Sequence, residues 1–314
     1  MSRRRSSWFD DLAHAGCGFL MGSVDVIPGV SGGTMALILG IYERLVTAIS
    51  HVDLKLWGQV RRGRFRDAAE HLDLRFLVPL GLGIAVALVT LASLMKYLLE
   101  HQRGPTYGAF FGLIAASTFL VGKMIRRRSA LVFAAGVVGA IAAYWLTRPE
   151  SGGTILPFGP DDVGEPFYAF ICGAIAICAM ILPGISGSYL LVLLGKYEWV
   201  IGILHGLKKG DVTSEDLLLL SVFAAGCLIG ILAFSKFLRW LLERFHDPTL
   251  GLLCGFMLGS LRKLWPFKNA ADYNRLPHGF DEAWLPIALA AGGAAIVLAL
   301  ALTASRVRVR RLEE

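Results

Sequence analysis

Two long apolar stretches of this chain are each broken by the same short unit. That duplication constrains the fold more than any other feature. Residues 16–49 are interrupted at Pro28-Gly29-Val30-Ser31-Gly32-Gly33, and residues 168–204 at Pro183-Gly184-Ile185-Ser186-Gly187-Ser188. Proline lacks a helix N–H and clustered glycines are poor helix formers, so neither unit continues a helix. Each stretch is predicted to be two half-helices joined by an unwound turn. The medium is set by composition. Hydrophobic residues make up 55% of the chain, charged residues only 18%, and the mean hydropathy is +0.60; soluble domains are about 25% charged. A soluble enzyme, a disordered tail and a secreted disulfide scaffold are excluded. Cys17, Cys172, Cys178, Cys227 and Cys254 all lie in apolar stretches without a CxxC pair, so they read as packed free thiols.

A membrane-crossing helix needs roughly 20 apolar residues. Six spans are predicted, at 76–99, 107–121, 130–146, 217–238, 250–261 and 284–303, with those starting at 107 and 250 short. Residues 1–15 lack the apolar region of a cleaved signal and read as an interfacial amphipathic segment. Residues 151–167 form an outside linker and 305–314 a basic cytoplasmic tail.

The two halves, 16–150 and 168–304, repeat each other. An offset of 155 places Pro28-Gly29-Val30-Ser31-Gly32 on Pro183-Gly184-Ile185-Ser186-Gly187, and Gly40-Ile41-Tyr42-Glu43 on Gly195-Lys196-Tyr197-Glu198. Beyond the basic 50–75 loop the offset becomes 143, placing Gly108, Gly112 and Ser117 on Gly251, Gly255 and Ser260. Charge then selects the topology. If both broken stretches are re-entrant, 19 Lys and Arg fall inside and 8 outside; if both cross, the counts are 11 and 16. The re-entrant arrangement gives each half an odd number of crossings. The expected fold is an all-α polytopic membrane protein of two inverted repeats, each a re-entrant broken-helix hairpin plus three transmembrane helices, with both termini cytoplasmic. Paired broken segments of this kind mark a transporter's binding site. The net charge of +7 is mostly this positive-inside signal, so a nucleic-acid partner is not expected.

The tips suit an anion. Gly29, Gly32 and Gly33 carry no side chain to block approach, the following helix starts with unpaired N–H groups, and Ser31 and Thr34 add hydroxyls. Gly184, Ser186, Gly187 and Ser188 repeat the pattern, and phosphate is the natural guest. The alternative is that the glycines only permit close helix crossing; duplication of the whole unit weighs against it. Ionisable groups inside membrane segments are functional candidates. Asp25 lies beside the first tip and has Met180 as its counterpart. It reads either as a proton carrier or as a cap of the broken helix. Glu43 and Glu198 occupy matching positions and are either proton-relay groups or partners of Arg44 and Lys196. Lys236 is placed to balance phosphate charge. Lys96 and Arg239 read as snorkelling cations, and Arg262 and Lys263 as headgroup attractors or anchors. No metal, nucleotide or other cofactor motif is present.

Asp25-Val26-Ile27-Pro28-Gly29-Val30-Ser31-Gly32-Gly33-Thr34, followed by Gly40-Ile41-Tyr42-Glu43, resembles the signature of the bacterial polyprenyl-phosphate transporter family, and the second copy resembles it too. The resemblance covers nearly the whole chain. It implies a membrane transporter rather than an enzyme, one that returns undecaprenyl phosphate across the cytoplasmic membrane for cell-envelope synthesis, with membrane lipids and protons as further partners. Two other readings stand beside it. One is a channel or carrier for a small inorganic anion. The other is an intramembrane hydrolase, because Gly29-Val30-Ser31-Gly32-Gly33 formally fits G-x-S-x-G.

Overall fold

The computed structural model describes residues 8–25, 31–147, 156–209, 213–269 and 272–313. The first half holds α1 (Trp8–Asp25), α2 (Gly32–Ile38), α3 (Tyr42–Ser50), α4 (Leu54–Arg61), α5 (Phe65–His71), α6 (Leu74–His101), α7 (Arg103–Met124) and α8 (Ala130–Leu146). The second holds α9 (Pro160–Val163), α10 (Glu165–Ile181), α11 (Gly187–Leu193), α12 (Tyr197–Lys209), α13 (Ser214–Arg244), α14 (His246–Ser260) and α15 (Phe280–Glu313). Segments Leu74–Leu91, Arg103–Met124, Ser214–Arg244 and Phe280–Ala299 are long and apolar enough to cross a membrane, and α8 and α10 are shorter apolar helices. The large apolar side chains left exposed on these helices, such as Val89, Phe133, Leu228 and Ile296, face hydrocarbon rather than water. The protein is an all-α, multi-pass membrane protein.

Several boundaries differ from the sequence expectation. α1 runs unbroken from Trp8, so the interfacial segment is its first turns. The predicted short span at 107–121 extends to 103–124, because a helix end tolerates Arg103 and Lys123 where hydropathy does not. The 50–75 loop contains α4 and α5, with Asp53 capping α4 through the Leu56 N–H at 2.9 Å. Each broken stretch also has a second break. Gly40 and Gly195, both at φ +68°, end α2 and α11 in the left-handed conformation. Gly40 N donates to Leu37 O and Ile41 N to Ala36 O, while Gly195 N donates to Val192 O and Lys196 N to Leu191 O. These are twin Schellman caps, and the first turns the chain by 120° between α2 and α3.

Some glycine contacts fall at positions related by the sequence offsets. A Cβ on Gly18 would lie 2.0 Å from Leu80 O, and one on Gly173 would lie 2.4 Å from Phe223 O. Both contacts join the first helix of a half to its first long helix, α1 on α6 and α10 on α13, running parallel. The remaining long helices pair across the halves. α7 lies on α15 through Gly108 at Pro286 and Gly112 at Ala290, and α14 lies on α8 through Gly251 at Val132 and Gly255 at Gly136. Small residues at these crossings let the backbones meet. The equivalent helices α7 and α14 run antiparallel. Asp247 at the start of α14 accepts from Arg126 N and Arg127 N, just past the end of α7. Arg103 at the start of α7 in turn binds Asp272, beyond the end of α14. The main core gathers Tyr42, Phe76, Ile114, Leu238, Leu253 and Met257 from both halves.

Candidate functional site

The two interruptions meet inside the protein, and they play different parts. Ser31, buried at 2% exposure, donates its hydroxyl to Met180 O at 3.0 Å. Thr34 Oγ1 accepts from Gly184 N at 3.0 Å, and Tyr42 OH donates to Ile181 O at 3.2 Å. Gly33 packs so closely that a Cβ there would lie 2.4 Å from Ile181 O. Three side chains of the first half therefore clasp the last turn of α10 and the second tip. Carbonyls at a helix end have no partner of their own, which is why they take these donors. The first tip is also closed on itself. Asp25 Oδ1 accepts from Gly32 N at 2.6 Å, and Ser31 Oγ accepts from Gly33 N at 3.2 Å. Of the two sequence readings of Asp25, the helix cap is thus the geometry observed. Gly29 lies outside the described residues.

The second tip faces open space. Ser186 is the N-cap of α11 with no side-chain cap bond, and its hydroxyl pairs with that of Ser188 at 2.8 Å. Ser186, Gly187 and Ser188 line a cavity of about 280 Å³ together with Asp25 and Ser31. The rest of its wall is mainly apolar, including Ile177, Met180, Val200, Ile201 and Phe223, with Tyr197 at one side. The cavity joins a small polar end to a greasy wall, the arrangement that an amphiphile with a compact anionic head requires. The equivalent region of the first half is filled. Tyr42, Val46 and Leu80, counterparts of Tyr197, Ile201 and Phe223, are exposed by 2% or less. α3 packs on α13, with Arg239 donating to Ser50 Oγ at 3.3 Å. Among the described residues, α12 makes no comparable packing against α6.

The cavity thus unites Asp25, Ser31, Ser186, Gly187 and Ser188, whereas Gly33, Thr34 and Gly184 form the contact between the tips and Gly32 binds Asp25. The other candidates sit elsewhere. Lys236 is exposed on α13 and does not line the cavity. Glu43 pairs with His246 at 3.1 Å, and Arg44 pairs with Asp73 at 2.7 Å. Lys196, almost fully buried, pairs with Glu165 beneath Tyr168 and Trp199, and Glu198 is exposed. The Glu43–Arg44 and Glu198–Lys196 pairings expected from adjacency are not formed, because neighbours in sequence point to different sides of a helix start. Ser31 bonds to backbone and, among the described residues, to no histidine, so the hydrolase reading has no general base. Tyr42 and Tyr197 were missed as site residues, although the repeated Gly-x-Tyr-Glu unit carried the signal.

Comparison with known proteins gives the family. The family model described as undecaprenyl phosphate translocase-like matches residues 21–281. A polyprenyl-phosphate transporter of Vibrio cholerae is 41% identical over 262 residues, covering 82% of this chain and 78% of that protein. A polyprenyl-phosphate transporter of Staphylococcus aureus is 30% identical over 257 residues, covering 79% and 84%. No solved structure matches the chain. With the family model spanning most of its length and two such relatives, the chain belongs to the undecaprenyl phosphate translocase-like family.

Proposed function

We propose that this protein carries undecaprenyl phosphate across the bacterial cytoplasmic membrane, returning the lipid carrier to the inner leaflet. The observation that carries this reading is the cavity at the second tip. Its serine pair and uncapped helix start offer donors to a phosphate, and its apolar wall offers a path to the first isoprene units. The names of the curated relatives supply the lipid class.

In this reading the two halves are inverted repeats that exchange conformations. The antiparallel course of α7 and α14, the equivalent glycine contacts and the positive-inside count support it. The first half is closed, with α3 on α13 and Tyr42 clasping α10. The second is open, and we take its cavity to be reached from the side on which α10 and α13 begin. In the exchanged state α12 closes on α6 and a matching cavity opens beside α3. Both termini are then cytoplasmic, and the present state faces outward. Asp25 borders the cavity that receives the phosphate. An ionised carboxylate there repels the headgroup, so a proton on Asp25 accompanies loading. Glu43 and Glu198 are the next acids to test for a relay.

Purified protein in liposomes tests the proposal with undecaprenyl phosphate, undecaprenyl diphosphate and inorganic phosphate. Movement of the lipid monophosphate is expected. Movement of inorganic phosphate alone would turn the reading to a small-anion carrier.

A further inference from the structure

A second polar cluster lies at the opposite end of α6 from the 50–75 loop. Three cations converge on one carboxylate. Arg103, the first residue of α7, binds Asp272 Oδ1; Lys263 Nζ and Lys268 Nζ approach Oδ2 at 3.2 and 3.5 Å. The lysines are not surface charges, since their side chains are only 16% and 7% exposed. Aromatic rings form the floor: Arg103 and Lys268 lie 5.2 and 5.8 Å from the centre of Tyr107, and Lys263 lies 5.1 Å from that of Tyr189. The hairpin is pinned by Asn269 N to Tyr273 O at 2.9 Å and Tyr273 N to Asn269 Oδ1 at 2.8 Å, and Asp272 takes φ +62° within it.

The charge does not balance: three positive groups share one negative group in a half-buried site. The ionisations of Lys268 and Asp272 reflect their neighbours. Burial first, with Lys263 and Arg103 adding to it, pushes the Lys268 ammonium below the usual lysine range. Burial alone would raise the Asp272 carboxyl, yet Lys263, Lys268 and Arg103 hold it below the usual carboxylate range. Two neighbouring cations are engaged elsewhere. Arg275 is engaged with Glu282, and Arg262 stacks on Tyr144. A site with two surplus positive charges, one open side at Arg103 and aromatic walls suits a dianionic oxyanion.

We propose that Arg103, Lys263 and Lys268 form a phosphate-binding seat in which the Asp272 carboxylate is a resident competitor that an incoming phosphate group displaces. Lys263 touches Tyr189, the residue after Ser188, so the seat adjoins the second tip. The inference deepens the transport reading by giving the headgroup a first binding position, but its test measures binding and not transport.

Full-length protein in uncharged nanodiscs is titrated with inorganic phosphate and, separately, with undecaprenyl phosphate in mixed micelles. Asp272→Asn keeps a residue tolerant of the left-handed conformation and should tighten phosphate binding about tenfold. Adding Lys268→Gln should reverse the gain. Should Asp272→Asn fail to fold, Lys263→Gln in the otherwise unaltered protein should weaken binding by about tenfold. Tightening with both probes assigns the seat to a lipid headgroup, and tightening with inorganic phosphate alone assigns it to free phosphate. Unchanged affinities across these variants overturn the proposal while leaving intact any lipid transport seen in liposomes.

Discussion

Replacing Tyr42 by phenylalanine deletes one oxygen atom from the contact that keeps the first half shut. That hydroxyl is fully buried and donates to Ile181 O at 3.2 Å, at the end of α10 where no intrahelical donor follows. Leaving a buried carbonyl without its donor costs about 1–3 kcal/mol. The packing of the ring is kept, so this cost falls on the present conformation. In the exchanged conformation proposed above, Tyr197 takes over the equivalent role and Tyr42 borders a cavity. The ratio of the two conformations should therefore shift about 5- to 150-fold against the present one. The assay is labelling of Ser188→Cys, at an exposed cavity position, by a membrane-impermeant maleimide in a background without the five native cysteines. Tyr42→Phe should slow labelling, whereas Tyr197→Phe should hold it at or above the parent rate. Equal slowing by both variants, or no change with Tyr42→Phe, would refute the exchange of roles between the halves.

Other perturbations follow from the same geometry. Gly33→Ala puts a Cβ 2.4 Å from Ile181 O, where about 3.3 Å is normal; the tips must part by roughly the difference, breaking the Ser31 and Tyr42 bonds, and the melting temperature should fall by several degrees. Asp25→Asn keeps an acceptor for Gly32 N but cannot carry a proton; proteoliposome transport should slow and lose its pH dependence, and an intact pH profile would remove Asp25 from coupling. Ser186→Phe fills the polar end of the cavity and should abolish binding of undecaprenyl phosphate without loss of folded protein, as judged by gel filtration. The Asp272 cluster has an acid limb. Its carboxyl is held below the ordinary value of about 3.9, so its stabilisation is complete above that value and is lost as pH falls through the lowered one; melting curves of Asp272→Asn should lack this low-pH loss.

The long apolar runs were legible because hydrocarbon requires them, and the tips because proline and glycine leave few backbone options. The repeat was legible as ordered identity. Beyond the Asp25/Met180 difference, the residues did not reveal how unlike the two tips are. Ser31 and Ser186 are the same residue in the same motif, yet one clasps a carbonyl and the other faces a cavity. That difference belongs to how the two halves pack and not to composition. The breaks at Gly40 and Gly195 were hidden because a single glycine in an apolar run equally fits a close helix crossing, as Gly112 demonstrates. Lys236 misled because helix periodicity alone does not say which face of α13 meets lipid. Arg103 lies 169 residues before Asp272, and only the fold brings it to the Lys268–Asp272 pair.

The pairing of α8 with α14 and of α7 with α15 also bears on how the chain is made. α8 presents Gly136 and Gly139 to a partner, α14, whose Gly251 and Gly255 are synthesised more than a hundred residues later. At roughly 5–20 residues per second, a ribosome needs on the order of 10 s to cover that distance. Throughout this interval α7 and α8 stand in the bilayer with their glycine faces against lipid, unable to reach a native minimum. Until then α7 and α8 lack the helices they pack against in the finished fold. A nascent chain arrested before α14 leaves both glycine faces uncovered, and the α7–α15 contact forms only once α15 has been made.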